Sequence, residues 1–134
     1  MFTIFNYFII NRKQAKLLAL GWTLLVFIAC LLPAHEIPDV KIPLIDKWVH
    51  FVLFAGCSFT WLCSFNYYGV ASLVKYWMMS IAMGALIEGL QAAFPNLGRC
   101  YELMDIAADA IGGLIGVLLF YILHHKLQKA TKEV

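Results

Sequence analysis

The chain reads as an all-α integral membrane protein: four transmembrane helices in an antiparallel bundle, with both termini in the cytoplasm. Three observations lead there. Hydrophobic residues make up 63% of the 134 residues and charged residues only 13%, against about 25% charged in an ordinary globular domain. The apolar residues fall in blocks of roughly 20, the length that crosses a hydrocarbon core. The basic flanks are unequal. Arg12, Lys13, Lys16, Lys75, Lys126, Lys129 and Lys132 fall on one side, and Lys41, Lys47 and Arg99 on the other. The richer side belongs in the cytoplasm.

Each element follows from local signals. The opening MFTIFNYFII is apolar and precedes the charges of NRKQAK, the reverse of a signal peptide, so residues 1–14 form an N-terminal interfacial segment. A first spanning helix follows at about 15–33. Pro33, Pro38 and Pro43 keep 33–45 extended. Asp46 stands at the N-cap of the second helix, about 46–64. Residues 65–74, with Tyr67 and Tyr68, form an interfacial loop. The third helix runs from about Lys75 to Phe94 and is stopped by Pro95. The fourth runs from about Leu103 to Leu123, with His124, His125 and Lys126 at its C-terminus. The bundle domain is thus 15–124, and 125–134 is a polar, frayed cytoplasmic tail.

Composition also excludes partners. A formal net charge of +2, with no basic patch, does not suit nucleic acid. Cys30, Cys57, Cys63 and Cys100 form no CxxC pair, which disfavours a disulfide framework or a thiolate zinc site. There is no HExxH and no nucleophile elbow.

The chemistry lies in GALIEGLQAAFPNLGRCYELMDIAADAIGGLIG, residues 84–116. Gly84, Glu88, Gln91 and Pro95 are spaced by four, three and four residues, and Asp105, Asp109, Gly112 and Gly116 repeat those steps. Each set therefore shares one helical face. Ionisable groups inside membrane segments are costly and mark functional sites by default. In the four-helix arrangement Asp46, Lys47, His50, Glu88, Gln91, Arg99, Asp105 and Asp109 converge in the outer leaflet as a ligand-binding set. His50, Glu88 and Asp109 are the candidates for catalysis, with His50 as general acid or base. The same three could hold a divalent metal. Structural roles compete with these: Asp46 and Asp105 as caps, Arg99 paired with Asp105 or Glu102, and His50 satisfying Glu88. Gly112 and Gly116 make a close-packing face and a candidate homo-oligomer contact.

DKWVHFVLFAG at 46–56, GALIEGLQAAFPNLGR at 84–99 and ELMDIAADAIGGLIG at 102–116 resemble the VanZ-like family. That resemblance implies a small multi-pass protein of the bacterial inner membrane. The family's namesake is associated with low-level teicoplanin resistance. Where the family pattern often has Asn, this chain has Asp109. The expected function is binding of a membrane lipid or lipid-linked envelope molecule, such as a lipid-linked precursor, a polyprenyl phosphate or a lipoglycopeptide. An enzyme acting on a lipid or cell-wall head group, and a proton-coupled transport element, are the alternatives.

Overall fold

The structure, a computed structural model, describes residues 2–36, 42–66 and 69–132. Regular structure among them is entirely helical: α1 (Phe2–Ile10), α2 (Arg12–Leu31), α3 (Ile45–Ser64), α4 (Val70–Ala93) and α5 (Leu103–Lys132). Short 3-10 turns at Ala34–Glu36 and Pro95–Leu97 follow α2 and α4. Part of the proline-rich connection, residues 37–41, and Tyr67 and Tyr68 of the expected aromatic loop lie outside the described residues.

Among the described residues three helices, not four, are long and apolar enough to cross a membrane: α2, α4 and α5. The expected second span, α3, is the exception. Its 20 residues include Asp46, Lys47, His50, Ser58, Thr60 and Ser64, which dilute its apolar character. It is instead the helix around which the others gather, making its largest interface with α5 and the next with α2. Placing both termini in the cytoplasm depended on an even number of crossings, and assigning the polar end to the outer leaflet depended on that placement. Both inferences lapse with a count of three.

Helix limits also differ from expectation. The N-cap of α3 is Leu44, in a left-handed conformation (φ 57°, ψ 28°), and Asp46 lies inside the first turn, where its carboxylate faces Lys47. The fourth apolar block does not fray after Leu123: α5 continues to Lys132, and Thr131 Oγ1 donates to Leu127 O at 3.0 Å. Lys, Leu, Gln and Ala are strong helix formers, so a polar tail of this composition extends a helix already nucleated. Helix α4 starts at Val70, earlier than expected, directly after Gly69 at φ 77°.

The N-terminal segment is a helix docked on the bundle. Phe5 is buried, with its ring 6.0 Å from Phe59 and 5.8 Å from Phe120. Asn11 breaks α1 from α2, and its side-chain amide donates to Tyr7 O at 3.0 Å. Phe5 belongs to one core cluster with Leu62, Val117 and Phe120. A second cluster, nearer the α2–α3 connection, contains Val26, Phe54, Cys57 and Ile87. Indole N–H groups tie neighbouring helices together. Trp22 donates to Leu53 O at 2.8 Å, Trp61 to Thr23 Oγ1 at 2.9 Å and Trp77 to Ala110 O at 2.9 Å.

Helices α3 and α5 meet backbone to backbone across their shared interface. A Cβ added at Gly112 would collide with the carbonyl of Phe51, and one at Gly116 with the carbonyl of Ala55. The small-residue face is therefore consumed inside one chain and is not free for a homo-oligomer contact. Gly116→Leu is expected to destabilise the protein by on the order of 1–3 kcal/mol. Gly89→Ala, at a site with nothing within 4 Å of the added methyl, is expected to hold or raise stability. Thermal unfolding of both variants in detergent micelles checks this; wild-type stability in Gly116→Leu would contradict the tight α3–α5 contact.

Candidate functional site at the polar end of the bundle

Antiparallel connectivity brings the start of α3, the end of α4 and the start of α5 to one end of the molecule. The spacing of the polar residues then decides what meets. Asp46 and His50 are one turn apart on α3, Glu88 and Gln91 on α4, and Asp105 and Asp109 on α5. All of the deeper groups face inward: His50 is 3% exposed, Gln91 2%, Asp105 4%, and Glu88 and Asp109 0%.

His50 lies against Asp109, with Nδ1–H donating to Oδ1 at 2.9 Å. Gly84 makes room for this carboxylate, since a Cβ there would collide with it. This gives a physical reason for the glycine that opens the α4 stripe. Glu88 reaches across the turn, and its Oε2 accepts the backbone N–H of Glu102 at 2.7 Å. It thereby satisfies a donor just ahead of α5. Gln91 donates to Cys30 O at 2.7 Å, tying α4 to the end of α2. Arg99 Nε donates to Leu32 O at 3.4 Å. Arg99 thus pairs with neither Asp105 nor Glu102.

Lys47 takes that role instead. Its ammonium bonds Asp46 Oδ2 at 2.5 Å and Glu102 Oε2, and lies 2.9 Å from Asp105 Oδ1. The contact to Asp105 is an ion pair without aligned hydrogen-bond geometry. Burial alone would push Asp46 up and Lys47 down. The bonds and charges between them outweigh it, so Asp46 is held below its ordinary pKa and Lys47 above its own. Glu102 was not among the residues expected to form the site. Its signal was present, because it stands three residues before Asp105, one turn away on the same side.

Three buried carboxylate oxygens have no hydrogen-bond partner among the described residues: Glu88 Oε1, Asp105 Oδ1 and Asp109 Oδ2. Ligand-capable atoms of His50, Glu88 and Asp105 all lie within 4.8 Å of one another. The expected trio was His50, Glu88 and Asp109. Here Asp109 stands behind the imidazole, and Asp105 is the third converging group. Asp46, Glu102 and Asp105 converge similarly, but around the Lys47 ammonium.

Lys47→Met leaves three carboxylates facing one another. It is expected to lower stability at neutral pH by about 1–3 kcal/mol, the range for hydrogen bonds to charged groups. Asp46 is depressed in the folded protein, so its share is present above the ordinary carboxylate value of about 4 and is lost as pH falls through the lowered one. The gap between variant and wild type should therefore narrow on acidification. Thermal unfolding at pH 7 and at about pH 2, below the lowered value, reads this; a gap that widened in acid would contradict it.

The VanZ/LLP1 family model matches residues 2–124. No curated protein and no solved structure matches the chain. The match takes in α1 to α4 and most of α5. With its membrane-length apolar helices and its clustered His, Glu and Asp residues, the chain belongs to the VanZ/LLP1 family and is a multi-span protein of the bacterial inner membrane.

Proposed function

We propose that the protein binds the head group of an amphiphilic cell-envelope molecule at the polar end of the bundle, with the molecule's chain lying along the adjoining apolar surface. One observation carries this reading: hydrophilic and apolar recognition surfaces meet there. Arg99 donates to Leu32 O, and Leu32 lines an apolar groove with Phe27, Ile28, Leu31 and Pro33. The exposed side of Glu102 and the half-exposed Asp46 continue inward to His50, Glu88, Asp105 and Asp109.

Charge narrows the head group. Lys47 is already engaged by Asp46, Glu102 and Asp105. The interior groups are acceptors in need of donors. A sugar or peptide head rich in hydroxyl and amide donors suits such a surface better than a bare phosphate monoester. A lipid-linked precursor or a lipoglycopeptide therefore fits better than polyprenyl phosphate, and any link to glycopeptide resistance would run through such a ligand.

A second reading has its own observation. The His50–Asp109 pair at 2.9 Å fixes the imidazole tautomer and leaves Nε2 for proton transfer, the arrangement of a general acid or base. Under that reading the bound head group is also transformed, and His50→Gln would abolish turnover while sparing binding.

Native mass spectrometry of gently purified protein tests the binding reading. Wild type should carry a lipid-linked envelope amphiphile above the level of bulk phospholipid. Arg99→Ala combined with Glu102→Gln should reduce that retention about tenfold, equivalent to about 1.4 kcal/mol. No enrichment in wild type, or full retention in the double variant, would sink it.

A further inference from the structure

We infer that His50, Glu88 and Asp105 form a site for one divalent first-row transition cation of the Zn2+ or Mn2+ class, with Asp109 as the positioning residue behind His50. The donors come from three helices, α3, α4 and α5, and their ligand-capable atoms lie within 4.8 Å of one another. Ligands at 2.0–2.2 Å from an ion are separated by at most about 4.4 Å. Small side-chain adjustments therefore close the set on a metal.

The protein's own bonds prepare each ligand. Asp109 accepts from His50 Nδ1, which leaves Nε2 as the nitrogen open to an ion, with the Cys30 thiol also beside the ring. A carboxylate hydrogen-bonded to the far nitrogen is the usual support of a metal-binding imidazole. Glu88 is fully buried. Its Oε2 is held by the Glu102 N–H, and its Oε1 has no hydrogen-bond partner among the described residues. A buried carboxylate oxygen left unsatisfied is expensive, and a cation satisfies it. Asp105 is buried and offers the third corner.

Charge balance points the same way. Among the described residues at this end, Asp46, Glu88, Glu102, Asp105 and Asp109 face Lys47 and the imidazole of His50. Lys47 serves the outer carboxylates Asp46 and Glu102 and touches only Asp105 of the inner set. The outer group thus has its cation. Among the described residues, Glu88 and Asp109 have at most a protonated imidazole, and a divalent ion supplies the missing charge.

The donor set selects the ion. One imidazole with two carboxylates suits zinc or manganese. Calcium takes six to eight oxygens, and magnesium is seldom held by imidazole. Three protein ligands also leave a coordination position open. An oxygen of the head group would fill it, and this bridging step rests on the binding reading given above. The ion site itself does not.

The test uses the full chain in detergent, stripped with EDTA and dialysed against Zn2+. Elemental analysis should give one zinc per chain. Co2+ in its place should give visible d–d bands of nitrogen and oxygen ligation without thiolate charge transfer. Glu88→Gln and Asp105→Asn should each weaken zinc binding at least tenfold, and Asp109→Asn about 10- to 100-fold. Lys47→Met, which removes a competing cation from Asp105, should bind at least as tightly as wild type. Should a ligand variant fail to remain monodisperse, the Co2+ spectrum and a zinc-dependent rise in the melting temperature of wild type decide alone. Substoichiometric Zn2+, Mn2+ and Co2+ in wild type, or wild-type affinity in Glu88→Gln, would overturn the site. Amphiphile capture from the same preparations separates the two readings. Zinc without captured amphiphile removes the head-group reading alone, and capture without zinc removes the metal site alone.

Discussion

The approach of α5 to α3 sets the geometry of everything above it. Gly112 and Gly116 place the α5 backbone against the carbonyls of Phe51 and Ala55. These contacts fix how far the helices stand apart and how they are registered along their axes. Phe51 is next to His50, and Gly112 is three residues after Asp109. Once the glycine contact is made, His50 and Asp109 have little freedom to do anything but meet. One turn nearer the end, Lys47 and Asp105 meet for the same reason. The ion pairs do not assemble the helices. Backbone packing assembles them, and the charges inherit their partners from the register. This order of causes is sensible in a membrane, where interhelical polar bonds contribute only about 0.6–2 kcal/mol each and close packing does most of the work.

The polar end divides by depth. Its outer layer is a conventional surface arrangement, with an ammonium shared among carboxylates that are in part exposed. Its inner layer is different in kind, because full burial removes the water that would complete each carboxylate's hydrogen bonds. Asp105 belongs to both layers, touching Lys47 on one side and standing with His50 and Glu88 on the other. The site is therefore one connected electrostatic unit in which the state of the outer pair is felt by the inner one.

Much of this was legible in the sequence, and the residues show why the rest was not. The four-three spacing of Gly84, Glu88 and Gln91, and of Asp105, Asp109 and Gly112, assigned faces correctly, because periodicity alone determines a face. It does not determine what that face meets. Choosing Asp105 or Asp109 as the neighbour of Glu88 is a matter of about 6 Å along an axis, and that offset is set by the α3–α5 register. The role of α3 was hidden for a related reason. Its apolar block is as long as the others, and only its neighbours reveal that it is the inner helix that can shelter Ser58, Thr60 and Ser64. Gly112 and Gly116 were legible as a packing face, but a sequence cannot say whether such a face closes on its own chain or on a copy. Asp46 had the identity of a cap residue, yet Leu44 takes that position in a left-handed turn.

The indole bonds have a mechanical consequence. Trp22 and Trp61 pin α2 to α3, and Trp77 pins α4 to α5. Each bond lies between helices, so axial sliding within either pair is resisted. The molecule is then a pair of two-helix plates meeting along a seam. Smooth glycine backbone lies along part of that seam, and the charged groups close its polar end. His50 belongs to one plate, and Glu88, Asp105 and Asp109 to the other. The seam between the plates is also the largest helix interface in the molecule, and whatever His50 and the carboxylates grip together fastens its polar end.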